Sequence, residues 1–387
     1  MTTDQRSLLI PTRHFRGLSG KVILLKYNIP ALVAAGWRVQ VFAEKIDAAM
    51  TRELGAEPHK IWGRGFNKRH KVNRFMRHAE RFAIKQNAGL VVGHGDTLHQ
   101  DVLHIHSCRH REHEESTGRS LQPGEKATAD FQARQLLEGR QACVVANSRL
   151  MRDDLCARFQ LDADSFKVVY PGHDPARFFV RDSETRQALR AELGVGEGVL
   201  IGLITSGKLR LRGADLLIEA VAQLPEALRS NVQLLIVGSG DVTSFEAQAR
   251  AAGLADRVHF REPVQQVEAL YAALDIYVNP ARFETFSMSV LEAMACGIPS
   301  ITTRQVGISE LYTDAMQAGL MPAARSEALA QSLHKFLSDP TALAQHAQTC
   351  RELAAPLTWD SNIQAHQAIY DAVYSERAEL KQHAKKS

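Results

Sequence analysis

No apolar run in this sequence approaches the roughly 18 residues that a helix needs to cross a bilayer. The N-terminal stretch MTTDQRSLLIPTRHF has one short apolar run, Leu8-Leu9-Ile10, and no secretory leader is expected from it. Cysteine is sparse. Cys108, Cys143, Cys156, Cys296 and Cys350 are odd in number, scattered, and never form C-x-x-C, which predicts reduced thiols and a cytoplasmic setting. Low-complexity tracts and short repeats are also missing. With 45% hydrophobic and 23% charged residues, disorder is excluded as the main state. A chain of 387 residues is too long for one hydrophobic core, so two domains are expected.

Charge is present but unevenly spread. Residues 1–175 carry 27 Lys and Arg against 19 Asp and Glu, whereas the rest of the chain carries 20 against 24. Most of the excess lies in Lys60–Lys85, with nine cations and one acid, Glu80. Such a run attracts phosphates or an anionic surface. Lys71, Arg74, Arg77 and Arg81 fall at helical spacing and are expected to share a face, with Trp62 and Phe66 near enough to enter a membrane interface. Nucleic acid is not the expected partner, because only Trp62, Phe66, Phe75 and Phe82 are available for stacking.

Short β-rich runs alternate with helical stretches, the rhythm of an α/β protein with parallel sheets. In the first half the strands are Leu8–Ile10, Val39–Phe42, Leu90–Val92, Val102–His106, Cys143–Ala146 and Lys167–Tyr170. Turn formers at Tyr170–Pro175 interrupt the series. A second series follows at Leu200–Ile204, Gln233–Val237, Val258–Phe260, Ile276–Asn279 and Ser300–Thr302. The expected organisation is two Rossmann-like, doubly wound domains, residues 1–175 and 176–357. A terminal helix, 358–387, is expected to pack back on the first domain and cross both. Ligands of such sheets bind beyond the carboxyl ends of the strands, so a cleft between facing domains is expected.

The richest segment runs from Asn279 to Pro299, NPARFETFSMSVLEAMACGIP. A strand ends at Asn279, a loop carries Glu284, and a helix starts near Ser287 and stops at Gly297. Amides at that helix start suit a phosphate. Glu284 and Glu292, at most roughly 12 Å apart along the axis, would bracket it with acceptors for hydroxyls, as a nucleotide-sugar requires.

The E-x7-E pair, the following AMACGIP and the later Gly307-Ile308-Ser309-Glu310 resemble glycosyltransferase family 4, of the GT-B fold. Val144–Leu155, the hinge-like VVYPGHDPARF at Val168–Phe178 and KLRLRGADLLIEA at Lys208–Ala220 extend the resemblance over nearly the whole chain. It implies a retaining, metal-independent hexosyltransferase that needs no cofactor, the nucleotide-sugar being a substrate. It also implies that Glu284 contacts the donor sugar, that Glu292 holds the ribose, and that backbone at Thr285, Phe286 and Ser287 faces sugar and phosphate. Lys208 and Arg212 take the place of the basic pair at the diphosphate, although an Arg usually leads there. Ser19-Gly20 stands where the family has Gly-Gly before the first helix. His106 aligns with a histidine near the anomeric centre.

Six histidines, His94, His99, His104, His106, His110 and His113, crowd around Cys108. Imidazole and thiolate bind zinc, yet their spacing matches no closed site, and no metal is expected. Asp162-Ala163-Asp164 looks like a metal-binding D-x-D but precedes a strand instead of following one, which argues against that role. Within the family, KLRLRGADLLIEAVAQLPEALRSNVQLLIVGSGD and VVGHGDTLHQDVLHIHS look most like lipopolysaccharide core glucosyltransferases. The expected reaction moves a hexose from UDP-glucose to a phosphorylated glycolipid or oligosaccharide, with the enzyme peripheral at the inner membrane. Alternatives are a mannosyl- or heptosyltransferase on another acceptor, or a sugar-nucleotide epimerase of the same fold.

Overall fold

The computed structural model describes residues 6–17, 19–61, 68–119 and 121–386. The chain divides into two compact units: Met1–His110 with Ser120–Tyr170 and Trp359–Ser387, and Arg111–Arg119 with Pro171–Thr358.

The first unit is built on seven parallel strands: β1 (Ser7–Pro11), β2 (Arg38–Ala43), β3 (Glu57–Lys60), β4 (Leu90–Gly93), β5 (Val102–His104), β6 (Cys143–Ala146) and β7 (Phe166–Val168). Their order is β3-β2-β1-β4-β5-β6-β7, the doubly wound arrangement whose order reverses beside β1. Central strands such as SLLIP are apolar on consecutive residues because helices cover both faces. Leu8, Ile10, Val39, Val41 and Val92 join Val22, Leu25 and Ile29 of helix α1 (Gly20–Ala34) in one core. Phe75 and Ala79 of helix α2 (Lys68–Lys85) pack with Leu9 and Phe42. Helix α3 (Arg109–Thr117) begins in this unit and has most of its length in the other.

The second unit repeats the plan with β8 (Val199–Ile204), β9 (Val232–Val237), β10 (Val258–Arg261), β11 (Ile276–Asn279), β12 (Ser300–Thr303) and β13 (Leu320–Met321), ordered β10-β9-β8-β11-β12-β13. Among the described residues the paired strands of both large sheets run parallel, which runs such as VLIGLI and VQLLIV favour once both faces are buried. Gly202 lies in β8 because a Cβ there would come within 2.4 Å of Leu274 Cδ1. A loop carrying Glu284 joins β11 to helix α4 (Met288–Ala295).

The last helix, α5 (Trp359–Lys386), belongs to the first unit. Trp359 stacks on Tyr27 at 4.7 Å, Asn362 Nδ2 donates to the Tyr170 carbonyl at 2.7 Å, and Tyr370 and Val373 enter the core. The covering is substantial. All five cysteines are free thiols, and no described helix is long and apolar enough to cross a membrane.

Candidate functional site

The carboxyl ends of β8 and β11 gather most of the expected donor residues. Asn279, the last residue of β11, donates through Nδ2 to Glu284 Oε2 and to Ser287 Oγ, both at 2.8 Å. One amide thus fixes both the acidic loop and the helix start. Arg212 reaches the other Glu284 oxygen at 3.2 Å and donates to the Phe283 carbonyl at 2.8 Å. From the opposite side, Glu284 N donates to the Gln305 carbonyl, and its own carbonyl accepts from Gly307 N. Ile308 N donates to the Phe286 carbonyl at 2.9 Å, so the Gly307–Glu310 motif lies directly against the loop. Two side chains thus hold the carboxylate, and backbone hydrogen bonds hold the loop that carries it.

Ser287 caps α4 and has φ +85°, while Lys208 has φ +58°. Among the described residues, four non-glycine positions have positive φ, and these two fall within the candidate site. Such conformations persist where surrounding contacts over-determine them, as they do around Ser287. Gly213, next to Arg212, has φ +81°, and a Cβ there would come within 2.4 Å of the Pro280 carbonyl oxygen. Glycine is required there for the basic turn to approach the acidic loop. Thr285, Phe286 and Ser287 are all buried. The helix terminus directly after them carries the positive end of a helix dipole, where an anion is stabilised.

Glu292 lies further along α4 and accepts a hydrogen bond from Tyr271 Oη at 2.8 Å. Burial drives its carboxyl up to about 7, only partly offset by Tyr271 and Arg177, while Glu268 adds to the rise. Lys208 is exposed, and its Nζ is 2.7 Å from Glu112 Oε2. Beside it, Arg111 stands over the Phe283 ring at 4.5 Å. Both Arg111 and Glu112 come from the α3 stretch that belongs to the second unit. The sequence reading did not assign roles to Asn279, Tyr271 or Glu112. A polar residue ending an apolar strand was the available signal for Asn279, whereas Tyr271 and Glu112 act on residues too distant in sequence to be paired by pattern.

Ser19, Gly20 and His106 lie in the first unit. Ser19 stands at the N-cap of α1 with an exposed side chain that makes no capping bond, and Gly20 is the first helical residue. Lys21 Nζ next to them contacts Asp96 Oδ2 at 2.9 Å and Thr12 Oγ1 at 2.7 Å, and Asp96 also accepts from Arg13 N. Burial alone would raise Asp96, but Lys21 and these donors outweigh it and hold the carboxyl below its usual range. His106 Nε2 lies 3.0 Å from His94 Nδ1. Burial, reinforced by Lys21, pushes His106 down to about 3.

Arg74 does not join an open cationic face: its guanidinium is 3.3 Å from Glu44, which also takes Arg13 at 2.8 Å. Lys71, Arg77, Arg81 and Lys85 of α2 are exposed, and Trp62 and Phe66 lie outside the described residues. Asp162 caps the short turn Ala163–Ser165 by accepting from Asp164 N at 3.0 Å. Among the described residues no group of three or more His, Cys, Asp or Glu is placed to hold a metal ion.

Comparison with known proteins follows the same division. Residues 20–177 match the family model described as Glycosyltransferase Family 4, and residues 201–339 match that described as Glycosyl transferases group 1. A D-inositol 3-phosphate glycosyltransferase of Streptomyces avermitilis is 31% identical over 241 residues, covering 59% of this chain and 51% of that protein. The lipopolysaccharide glucosyltransferase WaaG of Escherichia coli K12 is 30% identical over 203 residues, covering 52% and 54%. The chain therefore spans about half the length of the curated relatives it matches. In fold, a crystal structure of WaaG, described as a glycosyltransferase involved in lipopolysaccharide biosynthesis, superposes with a TM-score of 0.79 at 21% identity, covering 94% of this chain and 99% of that one. Anabaena HepE in complex with UDP and glucose gives 0.76 at 18% identity, covering 95% and 100%. With a family 4 domain followed by a group 1 domain, each on a doubly wound parallel sheet, the chain belongs to the GT-B glycosyltransferases of family 4.

Proposed function

We propose that the protein transfers a hexose, with UDP-glucose as donor, to a phosphorylated saccharide of the lipopolysaccharide-core type, with retention at the anomeric carbon. The observation that carries this reading is the Glu284 loop, clamped between Asn279 and Arg212 at the head of α4. A carboxylate held there accepts hydroxyls of the sugar, and the helix terminus faces the diphosphate. Glu292 takes the ribose hydroxyls. Arg212, Lys208 and the helix dipole stabilise the charge that develops on the leaving diphosphate, a task preorganised dipoles and cations perform without reorganisation and without a metal. In the reaction the bond from C1 to the diphosphate oxygen breaks and the bond from the acceptor oxygen to C1 forms on the same face. The acceptor proton passes to the departing phosphate. His106 hydrogen-bonds a sugar oxygen.

The HepE complex with UDP and glucose supports the choice of donor, and the WaaG similarity supports the choice of acceptor. A second reading keeps the donor site and changes the acceptor to a phosphorylated polyol, as the name of the Streptomyces relative suggests. A panel of nucleotide-sugars, scored for nucleotide release alone and with each acceptor class, separates these. UDP-glucose turnover that survives excess chelator and rises with a core-saccharide acceptor is the expected result. Turnover only with a phosphorylated inositol selects the second reading, and strict dependence on one divalent cation contradicts the charge assignment. The Glu284→Ala variant should lose about ten- to a hundredfold in activity, the worth of a charged hydrogen bond.

A further inference from the structure

Four imidazoles pack together inside the first unit. The His94 ring stacks on His104 with centroids 4.6 Å apart and lies 5.3 Å from His106, while His104 leans on His366 at 5.0 Å. His94, His104 and His366 are buried, and His106 is partly exposed. Chemistry fixes one of the contacts at once. His366 Nδ1 is 2.8 Å from the Asn362 carbonyl, which can only accept, so that ring carries its proton on Nδ1. His104 Nε2 is 2.8 Å from Tyr370 Oη, a hydroxyl that can either donate or accept.

The third contact joins His94 Nδ1 to His106 Nε2 at 3.0 Å. One nitrogen must donate and the other accept. His94 Nε2 decides which, because it is buried and has no hydrogen-bond partner among the described residues. Were His94 to accept at Nδ1, its proton would sit on Nε2 as a buried N–H without an acceptor. Orphaned buried donors are the rarer kind of unsatisfied group, and a bare lone pair is the better tolerated alternative. Donation from His94 Nδ1 therefore settles the proton of His106 as well.

We propose that His94 is a positioning residue: by donating from Nδ1 to His106 Nε2 it locks His106 as the Nδ1–H tautomer, leaving one N–H to offer a substrate oxygen. The proposal rests on the reading of His106 as a substrate contact. It deepens that reading by making His106 a hydrogen-bond donor and not a base. Protonating His106 would set its new N–H against that of His94. The charged and titratable groups around the pair are Lys21, Asp96, His104, His366 and Arg109. Burial and Lys21 keep both rings neutral, with Asp96 opposing at His106.

The test is long-range proton–nitrogen NMR of the full chain labelled at histidine nitrogens near neutral pH, with His94 and His106 assigned by single substitution. Protons on Nδ1 of both rings are expected. A proton on Nε2 of His106, or a charged ring, overturns the lock. In kinetics, His94→Phe keeps an aromatic ring but removes the donor, and kcat/KM for the nucleotide-sugar should fall about tenfold. His94→Asn returns an N–H near the same place and should recover most of that loss. Full activity in His94→Phe, with activity lost in His106→Asn, overturns the positioning role and spares the contact. Full activity in both overturns the reading of His106 on which the proposal rests.

Discussion

A single carboxyl, Glu292, sets a measurable pH dependence. Burial raises it from 4.5 to about 7, against the pull of Tyr271 and Arg177. Below the ordinary Glu value, both folded and unfolded chains hold the proton and the residue imposes no cost. Between there and about 7 the native state keeps a proton that the unfolded chain releases, so stability falls as pH rises. Above about 7 both states are ionised and the cost is complete, on the order of 3 kcal/mol at one pKa unit per 1.4 kcal/mol. The Glu292→Gln variant has no charge to bury. Its urea midpoint should therefore gain on the wild type steadily from about pH 5 to about pH 8. Parallel pH curves for the two proteins would mean that Glu292 is not held in its raised state.

At the scale of elements, the passage from β11 through the loop to α4 depends on Asn279, which donates to both Glu284 and Ser287. Asn279→Ala releases the loop and the helix cap together. Loss of two buried hydrogen bonds predicts a stability decrease of about 1–3 kcal/mol. Activity should drop about tenfold or more while Glu284 is still present. Thermal unfolding alongside donor kinetics checks it, and unchanged kinetics in a folded variant would show that the clamp is dispensable. These elements were largely legible in the sequence. The strands Cys143–Ala146 and Ile276–Asn279 have the bounds that their β-rich runs predict. Where burial leaves no stripe, the signal fails. The edge strand Glu57–Lys60 reads EPHK, and α3 reads RHREHEEST with one buried residue, His113, so neither announces itself. The two glutamates of the site were legible because they share one helix and its approach. The Tyr271, Glu112 and His94 contacts bridge separate elements, so only the fold brings them together.

For the molecule as a whole, two features of chain organisation carry predictions. The C-terminal helix returns to the first unit, where Trp359 is buried against Tyr27. Trp359→Ala opens a large hole there and should cost about 3–5 kcal/mol in that unit's unfolding, seen by calorimetry as a lowered transition temperature; no shift would show that the stacking is peripheral to stability. The second feature is the basic helix α2, whose Phe75, Met76 and Ala79 are buried. Lys71, Arg77, Arg81 and Lys85 are exposed, as is Ile84 at 81%, so charge and one apolar side chain are available to an anionic bilayer. Each cation near such a surface contributes about 1 kcal/mol, fading within a Debye length. Four together would hold a protein peripherally, and the reversal of all four to Glu would turn attraction into repulsion. Arg74 is the internal control. Because it is engaged with Glu44, Arg74→Gln should affect vesicle binding less than the loss of any exposed cation. Sedimentation with vesicles containing anionic lipid should be strong at low salt, weak at high salt and abolished by reversing the four exposed cations. Equal sedimentation with neutral vesicles, or none with anionic vesicles at low salt, would remove the case for attachment through α2 and leave the transferase reading standing on the donor site alone.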